Sequence, residues 1–205
     1  MQNAILLGLA GGLTAVAGGL TYVYVSGGAA DPFAGCRAGT VAGGAAAIGG
    51  PFELVRHDGQ RVTDADVITG PTLMYFGYTY CPDVCPIDTV RNADAVALLD
   101  ERGVGAVPVM VSVDPNRDTP EVMAEYTSWM HPRMVGLTGT EEEIDAVAKA
   151  YKVYYAKNGE GEDYLVDHLT YTYLMAPEHG FLDFFKRDDT AEEIADRVAC
   201  FAAAL

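Results

Sequence analysis

No charged residue interrupts the apolar run from Ala4 to Val25, and hydrophobic and polar positions begin to alternate only beyond Pro51. At 1.5 Å per residue a helix of that length spans roughly 30 Å, the hydrocarbon thickness of a bilayer, so the pattern predicts a transmembrane anchor over 1–25. The run is too long for a signal peptide, and neither Lys nor Arg precedes it. Residues 26–50 are mostly Gly and Ala and predict a flexible tether. From 51 to 205 the pattern is globular. Phe52 to Arg56 alternates into the turn His57-Asp58-Gly59, which predicts a hairpin. Thr72 to Phe76 and Val107 to Val113 are continuous apolar runs fit for buried strands. A helix is expected over Ile87 to Arg102, closed by Gly103, and another from Thr119-Pro120-Glu121, with Thr as cap and Pro at the first helical position. Thr140 with Glu143 forms a capping box ahead of a stripe of Ile144, Val147, Ala148 and Tyr151. Two strands, Tyr171 to Met175 and Phe181 to Phe185, flank a turn at 177–180. Thr190 with Glu193 caps a last helix, whose stripe is Ile194, Val198, Phe201 and Leu205.

Strand, helix, strand, helix, then a hairpin and a final helix make an α/β fold with a mixed sheet flanked by helices. That order is the thioredoxin-like one.

Charge narrows the function. Thirteen Lys and Arg against 29 Asp and Glu give a formal net charge of −16. Such a chain cannot neutralise phosphates, which excludes nucleic acid as a partner, and it would not lie flat on anionic lipid. Before residue 51 only Asp31 and Arg37 are charged, so the whole excess sits on the globular part, where it suits a basic patch on a partner or serves solubility alone.

Four cysteines are too few for a disulfide scaffold and fit a site plus a staple. Cys200 falls off the stripe of the last helix, about 100° from Phe201, so the core does not need it. A disulfide between Cys36 and Cys200 would clip the tether to the domain and would require an oxidising compartment, hence an anchor with its N-terminus inside. Phe33-Ala34-Gly35-Cys36 resembles a lipoprotein cleavage box, but Asp31 and Pro32 separate it from the apolar run, which argues against lipidation.

The other pair is Cys81-Pro82-Asp83-Val84-Cys85-Pro86, where a central strand hands over to a helix. If the segment is helical, the two Cα atoms stand roughly 6 Å apart on one face, close enough for a disulfide or for one shared ion. A helix N-terminus favours thiolates, so both cysteines are expected to be acidic. Thiolates are soft ligands that select Cu(I).

Three blocks carry a family resemblance: Tyr75-Phe76-Gly77-Tyr78-Thr79-Tyr80-Cys81-Pro82-Asp83-Val84-Cys85-Pro86, the run Val111 to Pro120, and Tyr164-Leu165-Val166-Asp167-His168. With them the chain resembles the Sco/SenC copper chaperones. The resemblance implies a single-pass protein of the bacterial inner membrane with its domain in the periplasm. It would bind one copper, with Cys81, Cys85 and His168 as ligands, and deliver it to, or prepare, the dinuclear copper centre of cytochrome c oxidase. Its partners would be the copper-centre subunit of that oxidase and other periplasmic copper carriers. Two thiolates and an imidazole suit Cu(I) and also hold Cu(II). Asp83 and Asp167, beside these ligands, are candidates for orienting them.

His57 and His179 lie in turns and read as surface residues, and His131, before Pro132, reads as packing or capping. Two other functions use the same residues. A thiol–disulfide oxidoreductase would use Cys81 and Cys85 on a partner's cysteines, but the spacing of three and the lack of a proline near Thr170 count against it. A copper or redox sensor would use the same three ligands as a chaperone. No substrate bond is turned over by a chaperone, so the chain is expected not to be an enzyme.

Overall fold

The computed structural model describes residues 31–37, 39 and 44–205. The chain divides into two compact units, Met1–Gly35 and Cys36–Leu205. The apolar run 4–25 lies outside the described residues, among which no helix is long and apolar enough to cross a membrane. The second unit begins at Cys36, upstream of the start that sequence alternation marks.

Seven strands form one mixed sheet in the order β2-β1-β5-β4-β3-β8-β9. The expected hairpin is β1 (Glu53–Arg56) and β2 (Arg61–Thr63), followed by the single turn α1 (Asp64–Val67). The centre is β3 (Thr72–Gly77), parallel to β4 (Val107–Ser112), which is parallel in turn to β5 (Val135–Thr138). On its other side β3 pairs antiparallel with β8 (Thr172–Ala176), and β8 with β9 (Gly180–Phe185). The helices are α2 (Val84–Glu101), α3 (Pro120–Met130), α4 (Glu141–Ala150) and α5 (Ala191–Ala202).

Alternation along the strands decides which helix each face receives. Met74, Phe76, Val109, Val111 and Leu137 bury against Ile144, Val147, Ala148 and Tyr151 of the α4 stripe. Met110 turns the other way, onto Met123 and Met134 at α3. The capping signals hold: Thr119, Thr140 and Thr190 each accept the backbone N–H three residues on, from Val122, Glu143 and Glu193. Leu205 departs from its predicted stripe; α5 ends at Ala202 and the side chain is exposed.

Two features escaped the hydrophobic pattern. β5 is only four residues long and contains Gly136, and none of the expected elements covers it. The glycine lets α3 cross closely: a Cβ there would lie 3.0 Å from Thr127 Cγ2 and 3.1 Å from Met123 Cε and would press on both side chains. β6 (Tyr155–Asn158) and β7 (Leu165–His168) form a separate two-stranded ribbon. Its largely polar residues carry no clear alternation.

Cys36 and Cys200 are joined by a disulfide, with Cα atoms 5.7 Å apart. The bond also rules out lipidation of the Cys36 sulfur.

Candidate metal centre

β3 ends in Gly77, and the chain turns through Tyr78-Thr79-Tyr80 to Cys81 before α2 opens at Val84. Only Cys85 is therefore helical, in the first turn, and Cys81 precedes the helix. Cys81 Sγ accepts the Cys85 N–H at 3.4 Å, taking the capping role that the Asp83 side chain does not fill. His168 arrives from the last residue of β7. Its Nε2 stands 3.2 Å from Cys85 Sγ, and one donor atom from each of Cys81, Cys85 and His168 lies within 4.8 Å of the others. Residues far apart in sequence thus converge on one point.

Glycine is needed at 77 because a Cβ there would lie 2.6 Å from Tyr75 Cε1 and 3.1 Å from Cys85 Sγ. Gly77→Ala is expected to lower stability by about 1–3 kcal/mol through overpacking, read as a reduced midpoint in urea. An unchanged midpoint would show that the Tyr75 ring yields freely.

The two thiols differ sharply, contrary to the expectation that both are acidic. Burial opposes ionisation of Cys81, but the backbone N–H groups of Asp83, Cys85 and Val84 outweigh it and hold that thiol below its ordinary range. For Cys85 burial dominates, and the neighbouring Cys81 charge adds to it, so its thiol is pushed well above the ordinary range. The helix end acts on the sulfur that lies in front of it, and Cys85 sits inside the first turn.

His168 is oriented by the main chain. Nδ1 donates to the Leu169 carbonyl at 3.0 Å, which leaves Nε2 as the bare nitrogen facing the sulfurs. Burial lowers its pKa, against the pull of the Leu169 carbonyl and of Asp88, so the ring is neutral and able to ligate at pH 7. Tyr75 and Tyr78 meet the imidazole edge-on, with centroids 6.0 and 5.8 Å away.

Asp83 is exposed and contributes its backbone N–H to Cys81. Asp167 is also exposed. Its carboxylate accepts from Asn158 Nδ2 across the β6–β7 ribbon and reaches His168 only as a charge. Other residues carry the supporting work. Asp88 is buried one turn beyond Cys85, accepts the Tyr75 hydroxyl at 3.3 Å, and is paired to Arg91 at 3.1 Å and Arg187 at 3.6 Å. Asp118 is buried and accepts Thr79 N–H, the Thr79 hydroxyl and the Ser112 hydroxyl, which pins the turn before Cys81 to the end of β4. Asp114 accepts the Tyr164 hydroxyl at 2.6 Å, and Arg117 pairs with Asp114 while lying 3.7 Å over the Tyr164 ring. That clamp fastens the ribbon bearing His168 to the loop after β4. Ser112, Asp114, Arg117 and Asp118 all lie in the second block of the resemblance, and the cluster of acids within an apolar context was the signal available.

Of the other histidines, His57 is half-buried and Nδ1 accepts Gly136 N–H, tying β1 to β5, which corrects the reading of a free surface residue. His131 ends α3 as its C-cap, its backbone N–H donating to the Thr127 carbonyl, while its Nδ1 accepts the Arg133 N–H of the turn that follows. His179 is exposed at its turn.

The family model for SCO1/SenC matches residues 40–203. Protein SenC of Rhodobacter capsulatus is 58% identical over 176 residues, 85% of this chain and 79% of that one. A crystal structure of Arabidopsis thaliana ScoI with copper bound superposes with a TM-score of 0.73 at 46% identity, covering 76% of this chain and 98% of that one. The structure of BsSco, a member of the Sco family of cytochrome c oxidase assembly proteins in which a disulfide switch is described, superposes with a TM-score of 0.62 at 25% identity, covering 75% and 92%. The chain spans about half the length of the plant and human mitochondrial SCO1 homologs that it matches. The chain belongs to the SCO1/SenC family.

Proposed function

We propose that this protein is a copper chaperone that holds one copper ion between Cys81 Sγ, Cys85 Sγ and His168 Nε2 and delivers it to, or prepares, the dinuclear copper centre of cytochrome c oxidase. The observation that carries the reading is the convergence of those three donor atoms within 4.8 Å. The donor set fits the ion: two soft sulfurs select Cu(I), and the neutral imidazole adds the nitrogen that Cu(II) prefers. Copper-bound relatives of the same fold support it. Release is ligand exchange, in which the thiols of the acceptor replace Cys81, Cys85 and His168 one at a time and no electron moves. We further propose that residues 4–25 anchor the chain in the inner membrane with the domain in the periplasm, which supplies the oxidising surroundings the Cys36–Cys200 bond needs.

Anaerobic titration of the reduced protein with Cu(I) is expected to saturate at one equivalent. Cys81→Ser should abolish tight binding, and binding undiminished in that variant would overturn the ligand assignment. The asymmetry of the thiols favours a second activity at the same site. Cys81, the more acidic, suits attack on a partner disulfide, and the buried Cys85 suits resolution of the mixed disulfide.

A further inference from the structure

We propose that the hollow between α3 and the Tyr80 turn is the docking point for the protein that exchanges copper with Cys81, and that it receives an apolar or aromatic side chain carried on a positively charged surface beside that partner's own thiols. The inference rests on the copper reading and adds the chemistry of the partner.

Val122, Glu125, Tyr126 and Trp129 recur at helical spacing along one face of α3 and, with Thr79 and Tyr80, line a hollow of about 340 Å³. The adjacent face of α3 buries Met123 and Thr127 and draws Tyr126 partly into that packing, while Glu125 and Trp129 are left to solvent. Trp129 is 81% exposed and Tyr80 56% exposed. Large aromatic side chains left in water at a ready-made hollow are what the centre of a protein interface is built from. The walls are fixed in advance: Asp118 holds Thr79, the Tyr126 hydroxyl donates to Thr89 Oγ1 on α2 at 3.3 Å, and the Arg117 guanidinium lies 4.8 Å over the Tyr80 ring. A rigid hollow spares a partner the entropy of ordering it.

Two observations say what covers it. Tyr80 is bonded to Cys81, a residue only 9% exposed, so a protein that reaches that sulfur meets the exposed Tyr80 ring beside it. The unpaired charge is acidic: Glu125 lines the hollow, Glu121 lies one turn away, α3 carries no Lys or Arg, Asp83 is exposed two residues past Cys81, and the guanidinium of Arg117 beside Tyr80 is paired with Asp114. A chain of net charge −16 repels a second copy of itself and an anionic membrane, and attracts a basic rim.

The test uses the full chain in detergent, loaded with copper, and the reduced soluble copper-centre domain of the cognate oxidase as probe. Trp129→Ala and Tyr80→Ala are each expected to weaken association by roughly 10- to 30-fold, and Trp129→Phe by less. Glu125→Lys should weaken it and flatten its dependence on salt. The variants at Trp129 and Glu125 should take up copper as the wild type does, because neither residue touches a ligand, and Tyr80→Ala, whose residue adjoins Cys81, is compared at equal copper loading. Trp129 is the only tryptophan, so its emission should shift to the blue as the probe saturates the chain. Unchanged association in both alanine variants, an emission that the bound probe leaves in place, or burial of Trp129 by self-association or by anionic vesicles instead would each overturn the docking surface. A wild-type chain that takes up no copper would sink the copper reading, which is a different failure.

Discussion

His168→Ala is expected to cost Cu(II) affinity by more than about 100-fold and Cu(I) affinity by less than about 10-fold. Cu(I) is content with two thiolates, and Cys81 and Cys85 remain in place when the imidazole is removed. Cu(II) prefers nitrogen and a higher coordination number, and among the described residues of this site only His168 Nε2 supplies the nitrogen. The comparison is made with the same protein under reducing and oxidising conditions, following Cu(I) by competition with a chelator and Cu(II) by its sulfur-to-copper absorption. Equal losses for the two ions would mean that His168 is not what makes the oxidised ion tolerable. Equal retention would remove it from the ligand set.

The second large effect concerns the Cys36–Cys200 disulfide, which closes a sequence separation of 164 residues. Replacing both by Ser is expected to destabilise the domain by about 2–5 kcal/mol, because the cross-link restricts the unfolded chain over most of its length. Both must be changed together, since one leftover thiol could pair with Cys81 and confuse the result. Urea unfolding monitored by circular dichroism is the measurement. A midpoint equal to that of the wild type would show that the segment from Cys36 to Gly50 is held to the fold well enough without the bond.

Much of the fold was legible in the sequence because the signals were strong and local. Thr72 to Phe76 reads as a buried strand since nothing polar interrupts it, and Thr140 with Glu143 marks a helix start because each satisfies the other's backbone. β5 and the β6–β7 ribbon were not legible for the opposite reason. Gly136 is explained by a helix that crosses it, and the ribbon is held by Arg117, Tyr164 and Asp114 reaching across 47 or more residues, as in the Tyr164–Asp114 bond. The site divides the same way. The cysteine motif was visible from its prolines and spacing, and His168 entered through the resemblance. The unequal acidity of the two thiols depends on how deep each sulfur lies relative to the helix end, and spacing alone does not encode depth. Asp118 was read only as a letter of the second block and Asp88 only as a position in an expected helix, since what makes them important is their burial.

The group that sets the orientation of His168 is the carbonyl of Leu169, not a side chain. Every amino acid brings a carbonyl, so position 169 can change identity while the imidazole keeps presenting the same nitrogen. What could disturb it is an insertion or deletion between Leu165 and Thr172, which would swing that oxygen away. The tautomer of this histidine is therefore inherited through loop length and written in no residue of the sequence.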